Sequence, residues 1–216
     1  MRRTALALCC GLWLATGCGS DGGGGGNSPG TSPANVLSVS IGTSGLCTNI
    51  NEPCAAVTVC QPASATCQTV PDLLLDTGSV GLRVFSSVLS IALSPAVDGQ
   101  GRPLGECVFF ADGGTMWGGV QLADIILGSG SAVRTPIHVV DPTFAGQSVA
   151  HNPCNSSVDS DPQAVRFNGI LGLGLFREDC GPVCEINANN NLYFACSGTA
   201  CTSSAVPVSQ QVQNPV

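Results

Sequence analysis

One carboxylate in this sequence stands apart from the other acids. In Leu73-Leu74-Leu75-Asp76-Thr77-Gly78-Ser79-Val80-Gly81-Leu82-Arg83-Val84, large apolar residues deliver Asp76 into a Thr-Gly-Ser turn, and a second apolar segment follows at once. A carboxylate fixed between two buried segments is placed for proton transfer, as base or as acid. The competing reading is a plain turn in which Asp76 caps backbone N–H groups. Other chemistries find less support. No Ser has a His and an Asp set around it in a recognisable pattern, and residues 171–175 offer Gly-x-Gly without the third Gly of a dinucleotide loop. The five Gly at 22–26 follow no strand, and the chain has no Lys to grip a phosphate.

The elements that must hold Asp76 are strands. Charge is sparse, Gly is abundant, and short apolar runs rich in Val and Thr alternate with turn residues. The pattern predicts strands at 35–41, 57–60 and 66–70. Pro71-Asp72 then precedes the strand that ends on Asp76. Residues 85–93, the best helix candidate, read as a short helix or coil. Further strands are expected at 106–110, 118–127 and 133–140, and the Gly-Gly beside Asp112 marks a hairpin turn between the first two of these. Residues 151–162 read as a polar loop, and 167–174 return to the core. In such a hairpin Trp117 is either core or a platform for a substrate. His138 lies in an apolar strand and reads as structural, and His151 as a loop residue. Regular short strands of this kind build an all-β sandwich or barrel.

The chain has 216 residues, enough for one core. Its formal charge is −7, and loss of Arg2 and Arg3 on processing would leave five Arg against fourteen acids, a balance of −9. Such a surface repels phosphate backbones and excludes nucleic acid as a partner.

The N-terminus reads as an export signal. Met1-Arg2-Arg3 is basic, residues 5–15 are apolar but too few to span a bilayer, and Ala15-Thr16-Gly17-Cys18 resembles a lipoprotein cleavage box. Cys18 would then be acylated; the alternative is an ordinary signal with Cys18 paired elsewhere. Gly19 after the Cys resembles lipoproteins sorted to the bacterial outer membrane. Residues 1–17 are thus assigned to the signal and 18–35 to a Gly/Ser/Pro tether that cannot bury apolar surface. The lipid would be the chain's one membrane attachment.

Thirteen Cys are present, and setting aside Cys9, Cys10 and Cys18 leaves ten, an even number in an exported chain. Disulfides follow as the expectation, with local pairs suggested within 47–67, at Cys180–Cys184 and at Cys196–Cys201. A metal reading of Cys180-x3-Cys184 with His138 or His151 finds no second ligand pair at zinc spacing, so no metal or other cofactor is expected.

Asp76-Thr77-Gly78-Ser79, the segment Phe109-Phe110-Ala111-Asp112-Gly113-Gly114-Thr115, the strand at 119–128 and Asn168-Gly169-Ile170-Leu171-Gly172-Leu173-Gly174 come in the order of the pepsin-like aspartic peptidases. The chain resembles the N-terminal lobe of that family. A closer resemblance is to exported bacterial proteins of unknown function that share L-L-D-T-G-S-x-G-L-R, F-A-D-G-x-x-W-G and a segment like residues 209–216. In those proteins a second lobe with another Asp-Ser-Gly turn follows.

The resemblance implies a single pepsin-like β-barrel lobe over 36–205, with 206–216 beginning a linker or a second lobe. It implies a water activated between two carboxylates that share one proton, since both cannot ionise about 3 Å apart. This chain would supply Asp76 alone, with Thr77, Gly78 and Ser79 shaping the turn and Ser79 bonding the Asp76 carboxylate. The partner carboxylate would come from a second lobe or from a second copy. Phe110, Asp112, Gly113 and Trp117 would form the flap over a peptide or protein substrate, and Ile170-Leu171-Gly172 would thread behind the turn. Two departures stand out: Phe110 replaces the flap Tyr, and Arg83 puts a cation where a Trp is usual. The alternative function is a catalytically silent cell-envelope lipoprotein using the same fold for binding or scaffolding.

Overall fold

Eleven strands, most of them short, pair edge to edge in the computed structural model, which describes residues 36–42 and 45–216. The expected signal, Cys18 and the whole of the tether lie outside the described residues. The strands are β1 (Val39–Ile41), β2 (Pro53–Cys60), β3 (Cys67–Asp76), β4 (Val80–Phe85), β5 (Ser94–Pro95), β6 (Leu104–Phe109), β7 (Thr115–Leu127), β8 (Val133–Val140), β9 (Gly169–Leu173), β10 (Tyr193–Ser197) and β11 (Ala200–Ser203). Among the described residues the α-helices are two short ones, α1 (Pro162–Val165) and α2 (Pro182–Ile186). With 41% strand and 10% helix the fold is all-β, as its composition predicts.

Six strands close into a barrel in the order β2-β3-β9-β4-β8-β7 and back to β2. Each contributes to one interior: Val57 and Val59, Val70 and Leu73, Leu82 and Val84, Ala123 and Ile125, Ile137 and Val139, and Leu171. The i, i+2 spacing follows from the pleat. Between Val70 and Leu73 it is broken, because the β2–β3 register shifts there and Asp72 takes a left-handed φ of 55°. This bulge fuses into one strand what the sequence presents as two. It also turns Leu73 inward and puts Leu74 and Asp76 together on the other face.

β7 changes partner along one edge within a single sheet. Its C-terminal part pairs with β2 and closes the barrel, while its N-terminal part forms a hairpin with β6, which continues to β10 and β11. The β10–β11 hairpin was not anticipated, although the apolar run at 192–196 followed by Ser197-Gly198 signals it. Of the two readings of 85–93, short helix or coil, the segment keeps only the single 3-10 turn Ser86–Val88, because it lacks the length and periodicity to form more.

All ten Cys within the described residues form disulfides: Cys47–Cys54, Cys60–Cys67, Cys107–Cys154, Cys180–Cys184 and Cys196–Cys201. Cys47 and Cys54 also stand near Glu52, but as a disulfide they offer no thiolate to a metal. Residues 206–216, expected to begin a linker or second lobe, pack onto this domain. Val206, Gln211 and Val212 are buried, and the Gln211 side chain bonds both backbone groups of Gly181.

Candidate active site

The Asp76 turn is built by three strands. β3 ends on Asp76, Thr77 and Gly78 turn the chain, and β4 returns from Val80. β9 runs between them, parallel to β3 with Asp76 opposite Gly172, and antiparallel to β4 with Gly81 also opposite Gly172. Gly172 is required at this crossing, since a Cβ there would stand 2.7 Å from the Ser79 carbonyl group and the Val80 nitrogen. Asn168, just before β9, donates from its backbone N–H to Asp72 O and from Nδ2 to Pro71 O, which locks the bulge to the incoming strand. The strand expected to thread behind the turn does so.

Asp76 is half-buried, and its Oδ1 accepts a 2.8 Å hydrogen bond from the Gly78 N–H. Thr77 is exposed at the turn. The expected bond from Ser79 to the Asp76 carboxylate is absent: the Ser79 hydroxyl is buried and has no partner among the described residues.

A groove of about 790 Å³ lies over the turn. Asp76, Gly78 and Ser79 line it from below, and Phe109, Phe110, Ala111, Asp112 and Gly114 from the β6–β7 hairpin. Leu74, Met116 and Ile170 form apolar walls, and Val165, Phe167 and Asp159 close a side. The hairpin turn is fastened by Phe110 N–H to Gly114 O at 2.8 Å and by Asp112 Oδ1 accepting from the Gly114 N–H at 3.0 Å. Gly113 stands at its tip with φ 95°, a value that suits glycine alone. The fold therefore brings Asp76, Gly78, Ser79, Phe110 and Asp112 to one groove.

Trp117 does not reach it. The indole is fully buried among Cys107, Cys154, Val158, Phe144 and Phe194, edge-on to Phe194 at 5.7 Å, so of its two readings the structure places it in the core and removes it from the flap. Asp159 was missed by the sequence, since it sits in a polar loop without a motif. Burial raises its pKa; a backbone hydrogen bond from Thr115 opposes this, and the neighbouring Asp112 charge adds to it.

Arg83 is also placed otherwise than expected. Although three residues beyond Val80, its guanidinium is bound to β6 and to the segment before α2 and not to Asp76. Nη2 donates to Glu106 Oε1 at 2.8 Å and to Asp179 Oδ2 at 3.2 Å, and Nη1 donates to Val80 O. Tyr193 OH donates to Asp179 Oδ1 at 2.6 Å and accepts from the Val212 N–H at 2.7 Å. Burial opposes the Arg83 charge, but Glu106, Asp179 and Tyr193 outweigh it and raise its pKa. Burial pushes Glu106 well above the usual carboxylate range against the pull of Arg83. This network ties the exit of the Asp76 turn to the first hairpin strand and to residue 212.

His138, opposite Arg83 in the β4–β8 ladder, is buried, and burial and the Arg83 charge hold its pKa well below the ordinary value. A depressed His contributes stability that is complete above the unfolded-state pKa, near 6.5, and is lost as pH falls toward the folded one. Relative to a His138→Gln variant, the wild-type protein should lose up to about 1.4 kcal/mol per pH unit below pH 6.5. Urea denaturation of both at pH 7, 6 and 5 measures this, and parallel pH profiles would remove His138 as the cause.

No curated protein matches the chain. Residues 31–216 match a family described as protein of unknown function (DUF3443), and the chain belongs to that family.

Proposed function

We propose that this protein is one half of an aspartic-peptidase-type active site, with Asp76 as one of two carboxylates that activate a water for peptide hydrolysis. The observation that carries the reading is β9 running between β3 and β4 directly behind the Asp76 turn, with the β6–β7 hairpin roofing the same groove. This is the arrangement implied by the resemblance to pepsin-like lobes. A fixed turn beside an apolar groove suits a carboxylate that must exchange a proton with a partner. The second carboxylate comes from a second lobe or a second copy. Leu175, 100% exposed, and Phe176, 75% exposed, favour a covering partner, because they follow Gly174, whose N–H bonds Ser79 O beside the turn. The protein would work outside the bacterial cytoplasm, lipid-anchored through Cys18 at the outer membrane.

The objection raised by Arg83 falls away, since its charge is taken up by Glu106 and Asp179. Phe110 in place of a Tyr still favours the second reading, a non-catalytic envelope lipoprotein that binds peptides in the same groove. Incubation of the complete protein with unfolded casein from pH 3 to 7, beside Asp76→Asn, separates the two. Cleavage by the wild type, reduced at least a hundredfold in Asp76→Asn, is the expected result. Equal cleavage by the two would sink Asp76 as a catalyst.

A further inference from the structure

The groove over Asp76 has a charge pattern of its own. Its three ionisable lining residues, Asp76, Asp112 and Asp159, are all acids. The one basic residue adjacent in sequence to its lining, Arg166 between Val165 and Phe167, turns its guanidinium outward to Thr48 Oγ1 at 3.2 Å. Two of the acids converge. A Cβ on Gly114 would lie 3.1 Å from Asp159 Oδ2 and 3.2 Å from Asp112 Oδ1, so both carboxylates crowd the same space, which the glycine leaves open. The two like charges repel, and a cation between them would relieve that cost. The surrounding wall is apolar: Leu74, Phe109, Phe110, Met116, Phe167 and Ile170.

We infer that the groove selects a peptide segment presenting a Lys or Arg side chain between apolar residues, with the cation held by Asp112 and Asp159 and the apolar neighbours along the aromatic and aliphatic wall. The inference rests on the reading of this groove as a peptide site and adds its specificity. The occupant follows from complementarity: the methylene stem of Lys or Arg matches the apolar wall, and its charged end matches the carboxylate pair. An acidic segment would bring a third negative charge to a place where two already oppose each other.

Two fluorescein-labelled heptapeptides of the same Val/Phe composition, one with a central Lys and one with Gln, provide the probe. Fluorescence anisotropy at pH 7 and low salt should show the complete protein binding the Lys peptide about tenfold more tightly. The Asp112→Asn/Asp159→Asn variant, with its fold checked by thermal melting, should bind both alike. Both residues lie on exposed or half-exposed loops, so this variant is expected to fold. Equal affinity of the wild type for the two peptides, absence of binding, or a Lys preference kept by the variant would each overturn the inference. Asp76-dependent casein cleavage without a Lys preference removes the specificity and leaves the peptidase reading. A Lys preference without cleavage does the reverse.

Discussion

Arg83→Met is expected to cost the protein about 3–5 kcal/mol of stability at neutral pH. The guanidinium is 2% exposed and faces Glu106, which is fully buried, and Asp179, whose side chain is 6% exposed. Removing it leaves two carboxylates desolvated beside each other without a cation, a larger penalty than the pair's own net worth. Because burial already raises the Glu106 pKa, the variant should take up a proton there. A carboxyl whose folded pKa is raised contributes stability that is present below its unfolded pKa and lost as pH rises through the folded one. The deficit should therefore shrink between pH 7 and pH 5. Arg83→Met/Glu106→Gln should recover part of the loss at pH 7, since the most deeply buried charge is then gone. Urea titrations of the three proteins at both pH values decide it. A loss under about 1 kcal/mol, or a double variant no better than the single one, would show that the network contributes little.

Loss of the Cys107–Cys154 disulfide should be nearly as damaging. It closes 47 residues of chain, the longest span of the five bridges, and constrains the unfolded state accordingly. The chain-entropy account puts the effect at about 4 kcal/mol. Cys107 is fully buried and Cys154 7% exposed, in the cluster around Trp117, so the replacement should be apolar. Cys107→Ala/Cys154→Ala should melt on the order of 10 °C lower. The corresponding Cys196→Ala/Cys201→Ala protein, whose bridge spans 5 residues, should lose less. Equal losses in the two proteins would mean that loop length is not what sets the contribution.

The two predictions rest on features that the sequence conceals, and the reason is the same in each. Arg83 meets Glu106 and Asp179 at separations of 23 and 96 residues, and Cys107 meets Cys154 across 47. Such partnerships depend on how β4, β6 and the loops stack, which no local pattern encodes. What could be read were features that one short segment carries alone. The apolar run into Asp76, the Asp-Gly-Gly of the hairpin and the Gly-spaced 168–174 segment each dictate a turn or a crossing by their own chemistry. Their convergence on one groove follows from the barrel, and the alternation of apolar residues foretells an all-β sandwich or barrel without deciding between them. The side chains that face the groove were therefore half legible. Asp76, Phe110 and Asp112 belong to motifs, whereas Asp159 has only its place in the fold. Trp117 shows the converse, for it lies in a motif yet the pleat turns it inward to Phe144 and Phe194.

The loop that carries Asp159 is fastened to the hairpin strands three times over. The disulfide joins Cys154 to β6, the Asp159 N–H donates to Thr115 O at 2.7 Å, and Val158 packs in the Trp117 cluster. Hairpin and loop thus form a single jaw, with the turn of Asp76 on the fixed barrel opposite. The spacing of Asp112 and Asp159 is thereby set by links within one piece of the fold, whereas their reach to the Asp76 turn is set by the pairing of β7 with β8 of the barrel.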